Sequence, residues 1–351
     1  MYNYPGNIHI HSNYSDGSGS IEDIVEAASD AGLKYIIIAD HETLAGLPEE
    51  SVRRGVVILV GMEINRHHSH YLALGLKKPV ASDEDNPQSI IDQVNDEGGF
   101  GFIAHPFERG SRYIEKGKAY PWKTWPVFRF SGFELWNYTS HWRGRHPSAL
   151  ITLYWFFFNR KAAMDSPSRD LLRLWDCYTY AGHRVSVIGS SDAHATLYKL
   201  GFIRLPVFTY RYIFSTINTY VTLPEKMGAD FATAKKQITG ALRKGQCYLS
   251  FDSLAPGHEF YFYAENNGVV NLAGSELALQ QGVTLHIKPP RKKSLLRLIK
   301  NGRLEKVIAG DELIYIPTSP GVYRAEVYFK PRLGRSRPWI YSNPIYIKPP
   351  V

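Results

Sequence analysis

Asn7-Ile8-His9-Ile10-His11-Ser12-Asn13-Tyr14-Ser15-Asp16-Gly17 reads as a strand running into a polar turn, with two histidines two residues apart. Alternate side chains of a strand share a face, so His9 and His11 are expected side by side. Two imidazoles on one face, followed by an acidic residue in a glycine turn, form a sensible opening for a metal centre. A lone His-x-His carries little weight. This one gains meaning because strands ending in His, Asp or Glu recur downstream.

Working outward, Ser20-Ile21-Glu22-Asp23 supplies a helix N-terminus with a capping side chain, and Ile21, Ile24, Val25 and Ala28 keep helical spacing up to Gly32. Tyr35-Ile36-Ile37-Ile38-Ala39 is a continuous apolar run, the pattern of a strand buried on both faces, and it ends in Asp40-His41. The device repeats. Residues 56–60 lead to Gly61-Met62-Glu63, and His70 precedes a strand over 71–76. A helix over 87–97 leads into a strand over 100–104 that ends in His105-Pro106, and a strand over 132–136 carries Glu134. Residues 138–182 are mostly helical, aromatic-rich and Arg-rich. A strand over 185–188 then ends in Gly189-Ser190-Ser191-Asp192-Ala193-His194, and an amphipathic helix is expected over 231–244, stopped by Gly245.

Strand–helix alternation predicts an α/β fold with a mainly parallel sheet. Polar residues placed just after the strands suit a barrel-like layout, in which such residues converge at one end. From about Gly257 the texture changes to short strands near 260–263, 283–287, 295–300, 322–329 and 345–348, joined by Gly, Pro and Asn turns. That texture predicts a small antiparallel β domain of sandwich type. The expected division is 1–255 and 256–351.

The 351 residues are 44% hydrophobic and 13% aromatic and carry a formal net charge of +8. The chain is long enough for two cores, and its charge suits an anionic substrate without amounting to a nucleic-acid coat. The basic stretch 291–306 reads as a solvated strand face. Cys177 and Cys247 are the only cysteines, which excludes a disulfide framework and a thiolate zinc site. No signal-peptide pattern opens the sequence. Its most apolar run, residues 150–158, contains Thr152 and falls far short of the roughly 20 residues that span a bilayer. The expectation is a cytoplasmic protein without a membrane partner; the oligomeric state is not legible.

His9-x-His11 with Asp16-Gly17, Ala39-Asp40-His41, Gly61-x-Glu63, His70, Ala104-His105-Pro106 and Gly189-Ser-Ser-Asp192-Ala-His194 resemble, in order, the motifs of the PHP (polymerase and histidinol phosphatase) superfamily of metal-dependent phosphoesterases. The resemblance covers roughly residues 7–255. Arg337-Pro338-Trp339-Ile340-Tyr341-Ser342-Asn343-Pro344-Ile345 also resembles the end of its two-domain members. It implies a distorted (βα)7 TIM-like barrel followed by the β domain. It further implies three metal positions: one held by His9, His11, Glu63 and Asp192, a second by bridging Glu63 with His70 and His105, and a third by Asp16, His41 and His194. Alternation puts His68 on the same face as His70, so spacing leaves open which of the two is the ligand.

The implied activity is hydrolysis of phosphoester bonds, with two or three divalent ions as cofactors. A hydroxide bridging the metals would attack, with Glu63 and Asp192 as the central catalytic ligands. Imidazole and carboxylate donors suit zinc, manganese or iron alike. Glu134, on the next strand, is a candidate for orienting a ligand imidazole, with an ordinary ion pair as the alternative, and Asp40 for an orienting or general-acid group, with a purely structural role as the alternative. Arg109 and Arg112 are the first choices for gripping a phosphate, and Arg143 and Arg145 the second. Trp122, Trp125, Trp136 and Trp142 flank these cations and are assigned to core packing, with stacking on a base as the alternative. The substrate expected is a phosphate monoester or diester of a small metabolite, nucleotide or oligonucleotide end. The alternatives are a nuclease or 3′,5′-bisphosphate nucleotidase and, in another class, a non-catalytic metal-containing binding module.

Overall fold

The computed structural model describes residues 1–146, 148–200, 203–206 and 208–350. The strand Tyr2–Ile10 lies in mid-sheet, parallel to Tyr35–Ile38 on one side and antiparallel to Ile217–Leu223 on the other. Beyond Tyr35–Ile38 the order is Val56–Ile64, Tyr71–Leu74, Phe100–Ile103, Gly132–Asn137 and Ser186–Ser190. Val56–Ile64 joins in parallel, the next two strands each join antiparallel, and the last two join in parallel.

The sheet is therefore mixed, and the expected mainly parallel sheet is corrected. The cause is local. Only residues 65–70 separate Val56–Ile64 from Tyr71–Leu74, and a parallel crossover needs about a dozen residues or more. The ladder is an open path. After its last strand, an isolated parallel bridge links Ala193 to Ile10, and Ser191 N and Ala193 N donate to Ile8 O and His9 O at 3.2 and 3.1 Å.

The helices follow the spacing. Ile21–Asp30 starts on a reciprocal cap between Ser20 and Asp23, and it buries Ile21, Ile24, Val25 and Ala28. Phe231–Lys244 ends on Gly245 at φ 70°, a left-handed position that glycine adopts without steric penalty. Residues 138–182 hold the helices Tyr138–Arg143, Ala149–Phe157 and Arg169–Tyr180. Among the described residues no helix is long and apolar enough to cross a membrane.

On its other side Ile217–Leu223 pairs with Cys247–Phe251, and that strand pairs with Arg337–Ser342. The ladder thus runs on into Gly321–Phe329 and Ile345–Lys348. Asn343 pins the junction, donating to Val187 O and Cys247 O and accepting from Val187 N. Val269–Leu272, Tyr261–Asn266, Thr284–Lys288 and Leu313–Tyr315 form a separate antiparallel sheet. Its residues Phe262 and Leu285 share an apolar cluster with Leu298, Val327 and Trp339 of the main ladder.

Asp252, just after Cys247–Phe251, accepts from Asn218 Nδ2 (2.9 Å), Tyr220 OH (2.8 Å) and Gly257 N (3.0 Å). Burial outweighs these bonds and pushes its carboxyl up to about 6. A raised folded-state value means that the fold holds this proton more tightly than the unfolded chain does. Its stabilisation is therefore present below about pH 4 and lost as pH rises through about 6. Asp252→Asn removes this dependence, so the melting temperature of the variant minus that of the parent should rise between pH 4 and pH 7 in calorimetry. A difference that stays flat across that range would contradict the assignment.

Candidate metal centre

Glu63 lies on the strand Val56–Ile64, every residue of which is buried. Its Oε2 is 3.0 Å from His9 Nε2, 3.2 Å from His11 Nε2 and 3.4 Å from His41 Nδ1. Its Oε1 is 2.7 Å from His70 Nδ1 and 3.3 Å from His105 Nε2. Asp192 Oδ1 lies 3.5 Å from His9 Nε2, 3.3 Å from His11 Nε2 and 3.5 Å from His194 Nδ1. Asp16 lies 3.5 Å from His11 Nδ1, 3.8 Å from His41 Nε2 and 3.3 Å from His194 Nε2.

All nine expected ligands thus come together. Three groups have ligand atoms within 4.8 Å of one another: His9, His11, Glu63 and Asp192; Glu63, His70 and His105; and His11, Asp16, His41 and His194. The third group contains His11 beside the three residues expected for it. His9, His105 and Glu134 form a further group.

These residues fit divalent ions on two grounds. First, His9 Nε2, both ring nitrogens of His11, His41 Nδ1 and Glu63 Oε2 are buried without a hydrogen-bond partner. Burial of such atoms is costly unless something pairs with them. Second, the recurring separations of 3.2–3.5 Å are long for charge-assisted hydrogen bonds, which run about 2.7–2.9 Å. They match two donors sharing one ion, since metal–ligand bonds of about 2.1 Å at tetrahedral angles put donors about 3.4 Å apart.

The backbone aims these side chains by leaving regular geometry. His9, His105 and Asp192 sit at φ 69°, 27° and 53°, a region that non-glycine residues avoid at a cost of about 1–3 kcal/mol each. The opening strand shifts register against Tyr35–Ile38 between Ile8 and Ile10 and ends before His11. A bulge, not plain alternation, therefore turns His9 toward His11. The same holds for the open choice between His68 and His70. Asn65 and Ser69, at φ 75° and 56°, break the alternation, so that buried His70 meets Glu63. Half-buried His68 faces Glu84 instead, at 3.7 Å.

Charge explains the protonation pattern. Burial alone lowers an imidazole, yet Glu134, Glu63 and Asp192 hold His9 well above its ordinary range. His11 is likewise raised to about 9 against burial, by Asp192 and Glu63, and His105 to about 9 by Glu63 and Glu108. His41 goes the other way, to about 4, because burial outweighs the pull of Glu63. Despite burial, the imidazoles around them hold the Glu63, Asp192 and Asp16 carboxyls low. The carboxylates demand positive charge, and bound cations would supply it while releasing protons from the rings.

Glu134 holds two of the candidate ligands at once. Its Oε1 accepts from His9 Nδ1 at 2.7 Å, which would leave His9 Nε2, beside Glu63, as the nitrogen that offers its lone pair once a cation displaces the proton there. Its Oε2 accepts from His105 N and Asn137 Nδ2, each at 3.0 Å. Glu108 plays a comparable part that sequence reasoning missed. Its buried Oε2 lies 3.5 Å from His105 Nδ1 and accepts from Tyr120 N at 3.0 Å, and the Tyr120 ring packs on His70. The only sequence signal was its position three residues after His105.

Asp40, the orienting or general-acid candidate, is held against the loop that follows the opening strand. It is buried and accepts from Ser12 N, Ser12 Oγ and Ser15 Oγ, which holds the turn that carries Asp16. A cavity of about 620 Å³ opens against His105 and Glu134, and Arg109 and Arg145 line it. Arg109 pairs there with Asp170 (3.2 Å) and Arg145 with Asp165 (2.7 Å). Arg169 and Arg173 also line it, and no motif marked them. Arg112 turns away onto Tyr113, and Arg143 lies 3.5 Å from Glu108 and over the Tyr120 ring. Trp122, Trp136 and Trp142 are buried in the core with Trp125 packed against it, and Trp136 also lines the cavity.

Residues 7–117 match the family model described as the PHP domain. An 80-residue stretch is 32% identical to phosphoribosyl 1,2-cyclic phosphate 1,2-diphosphodiesterase of Eggerthella lenta, covering 20% of this chain and 30% of that protein. The chain is also 27% identical over 115 residues to an uncharacterized protein of Methanocaldococcus jannaschii, covering 28% of this chain and 66% of that one. The chain thus spans less than a third of the first relative and about two thirds of the second. Among solved structures, a two-domain protein from Bacteroides vulgatus, described as containing a predicted PHP-like metal-dependent phosphoesterase, aligns over 97% of this chain and 95% of its own. That alignment has 16% identity and a TM-score of 0.42.

His70→Ala should lower the metal content of purified protein, measured by inductively coupled plasma mass spectrometry, whereas His68→Ala should leave it unchanged. Equal losses in both variants would contradict the geometry.

Proposed function

We propose that this chain is a metal-dependent hydrolase of a phosphate monoester or diester on a small metabolite, nucleotide or oligonucleotide end. The observation that carries the reading is the convergence of five imidazoles on the single buried carboxylate of Glu63. One ion is assigned to His9, His11, Glu63 and Asp192, a second to Glu63, His70 and His105, and a third to Asp16, His41 and His194. Zinc, manganese and iron all suit these donors. When bound, such ions polarise a phosphoryl oxygen and acidify water.

The chain's own residues do the rest. Glu134 fixes the tautomer of His9 and the backbone of His105. Glu108 backs His105 from the other side. Arg109 and Arg145, at the cavity, are assigned to the substrate and would exchange their Asp170 and Asp165 partners for it. The mixed charge of this cavity favours a substrate with a polar body beyond its phosphate, such as a nucleotide or sugar phosphate. That choice keeps a 3′,5′-bisphosphate nucleotidase or nuclease as the second reading. The likeness to a cyclic phosphate diesterase supports the phosphoester class.

For the architecture, we read the strands of residues 1–255 as a distorted (βα)7 barrel, supported by the bridge between Ile10 and Ala193. Residues 256–351 are read as a second unit, supported by an apolar cluster built mostly from them.

His9→Ala and Asp192→Ala should abolish metal-dependent phosphate release from a panel of a mononucleotide bisphosphate, histidinol phosphate and a short oligonucleotide. Full activity in either variant would sink the proposal. A parent protein that purifies with sub-stoichiometric metal and hydrolyses none of the three would instead support a binding module. Metal should also leave in two phases. The Asp16 side chain is 56% exposed and that of Glu63 is 1% exposed, so the Asp16, His41 and His194 position should be stripped first by a chelator. Release in a single phase would contradict this ranking.

A further inference from the structure

The helix Ala149–Phe157 is apolar around almost its whole circumference, and Thr152 is its buried residue. Leu150 and Phe158 are each 80% exposed, Phe157 is 61% exposed, and Leu153 and Tyr154 are each 55% exposed. Trp155 and Phe156 are half-buried and anchor the helix to the core. A helix facing only water keeps a polar side, and a contiguous exposed apolar patch marks a contact surface. At 9 residues the helix is about 13 Å long, far too short to span a bilayer.

The charges around it identify the occupant. From Gly144 to Met164 the chain has no Asp or Glu, while Arg145, Arg160 and Lys161 bracket the helix. Asp165, the first carboxylate after it, is taken up by Arg145 and His141, at 2.7 and 3.0 Å. Arg337 donates to Lys161 O (3.2 Å) and Met164 O (2.8 Å), which fastens the loop 330–336 beside this segment. That loop adds Lys330, Arg332 and Arg335 around Leu333, which is 91% exposed, and no acidic residue follows Glu326.

We infer that this helix and the basic loop beside it form a docking surface for an anionic lipid bilayer. Leu and Phe would enter the acyl boundary, Tyr154 would sit at headgroup level, and the ring of cations would meet lipid phosphates. A second copy of the chain fits poorly, since it would bring the same basic rim against itself. Gly144 and Arg145, just before the helix, line the cavity next to the metal cluster, so docking would hold the mouth of that cavity near the lipid surface. The inference does not rest on the phosphoesterase reading.

The test is flotation of the full metal-loaded protein with vesicles of phosphatidylcholine alone and of phosphatidylcholine mixed with phosphatidylglycerol. The protein should float with the anionic vesicles only, and high salt should weaken the binding. Changing Leu150, Leu153, Phe157 and Phe158 together to Ser should abolish flotation while metal content and circular dichroism stay as in the parent. Arg332→Gln with Arg335→Gln, which spares the helix, should weaken partitioning about 25-fold, at about fivefold per cation. Failure of the parent to float, or equal flotation of both variants and the parent, would overturn the inference. Loss of a parent oligomer in the four-residue variant, without vesicle binding by the parent, would assign the face to a second copy and overturn it as well.

Discussion

Glu63 is the constraint around which the rest is arranged. Its side chain is 1% exposed and stands within 3.4 Å of five imidazoles that come from four other parts of the chain. An ionised carboxylate in so dry a place is several kcal/mol unfavourable unless positive charge is delivered to it. The fold has to bring that charge from the opening strand, from the end of Tyr35–Ile38, from the 65–70 turn and from the end of Phe100–Ile103. The strand order, with Val56–Ile64 flanked by Tyr35–Ile38 and Tyr71–Leu74, shortens those routes. Close packing around Glu63 leaves no room for variation: a Cβ at Gly61, two residues earlier, would lie 2.5 Å from Ala73 O.

The second cost is conformational. His9, His105 and Asp192 are all held at positive φ, in three separate loops or strand ends. Side chains in that conformation persist only where the surroundings over-determine them. Here the surroundings are Asp40 tying down the Ser12 to Ser15 turn, Glu134 gripping His9 and the His105 amide, and the Ala193 bridge to Ile10. The candidate ligands are thus held in place by bonds that do not themselves need a cation.

Much of this was legible in the sequence because periodicity and end residues are local signals. The cap at Ser20, the all-buried Tyr35–Ile38 run and the helix ending at Gly245 could be read from short windows, whereas the nine clustered residues came together through the family resemblance of several separate motifs, with His70 left open against His68. What was not legible depended on geometry between windows. Strand direction turned on the short 65–70 link, the choice of His70 over His68 turned on two left-handed residues, and Ile217–Leu223 and Cys247–Phe251 had no marked periodicity. Glu108 stayed hidden because a carboxylate near a histidine in sequence is ordinary, and only the return of the chain at Tyr120 shows its purpose. The arginines divide for the opposite reason: Arg109 and Arg145 line the cavity while Arg112 and Arg143 lie over tyrosine rings, and a cation near a motif says nothing about which way its long side chain turns.

The pairing of Arg337–Ser342 with Cys247–Phe251 has a consequence for how the chain can be divided. Cys247–Phe251 is buried throughout, and on that side its amides and carbonyls are satisfied by residues near the C-terminus. A chain cut after residue 255 would turn this inner strand into a bare, apolar edge of the kind that templates aggregation. Asn343 would be lost with it, and so would its bonds to Val187 N and O, on the strand beside the Glu134 strand. The C-terminal strands thus act as a selvage, finishing the sheet that carries the candidate metal centre, and the two parts of the chain have become interdependent through a shared edge.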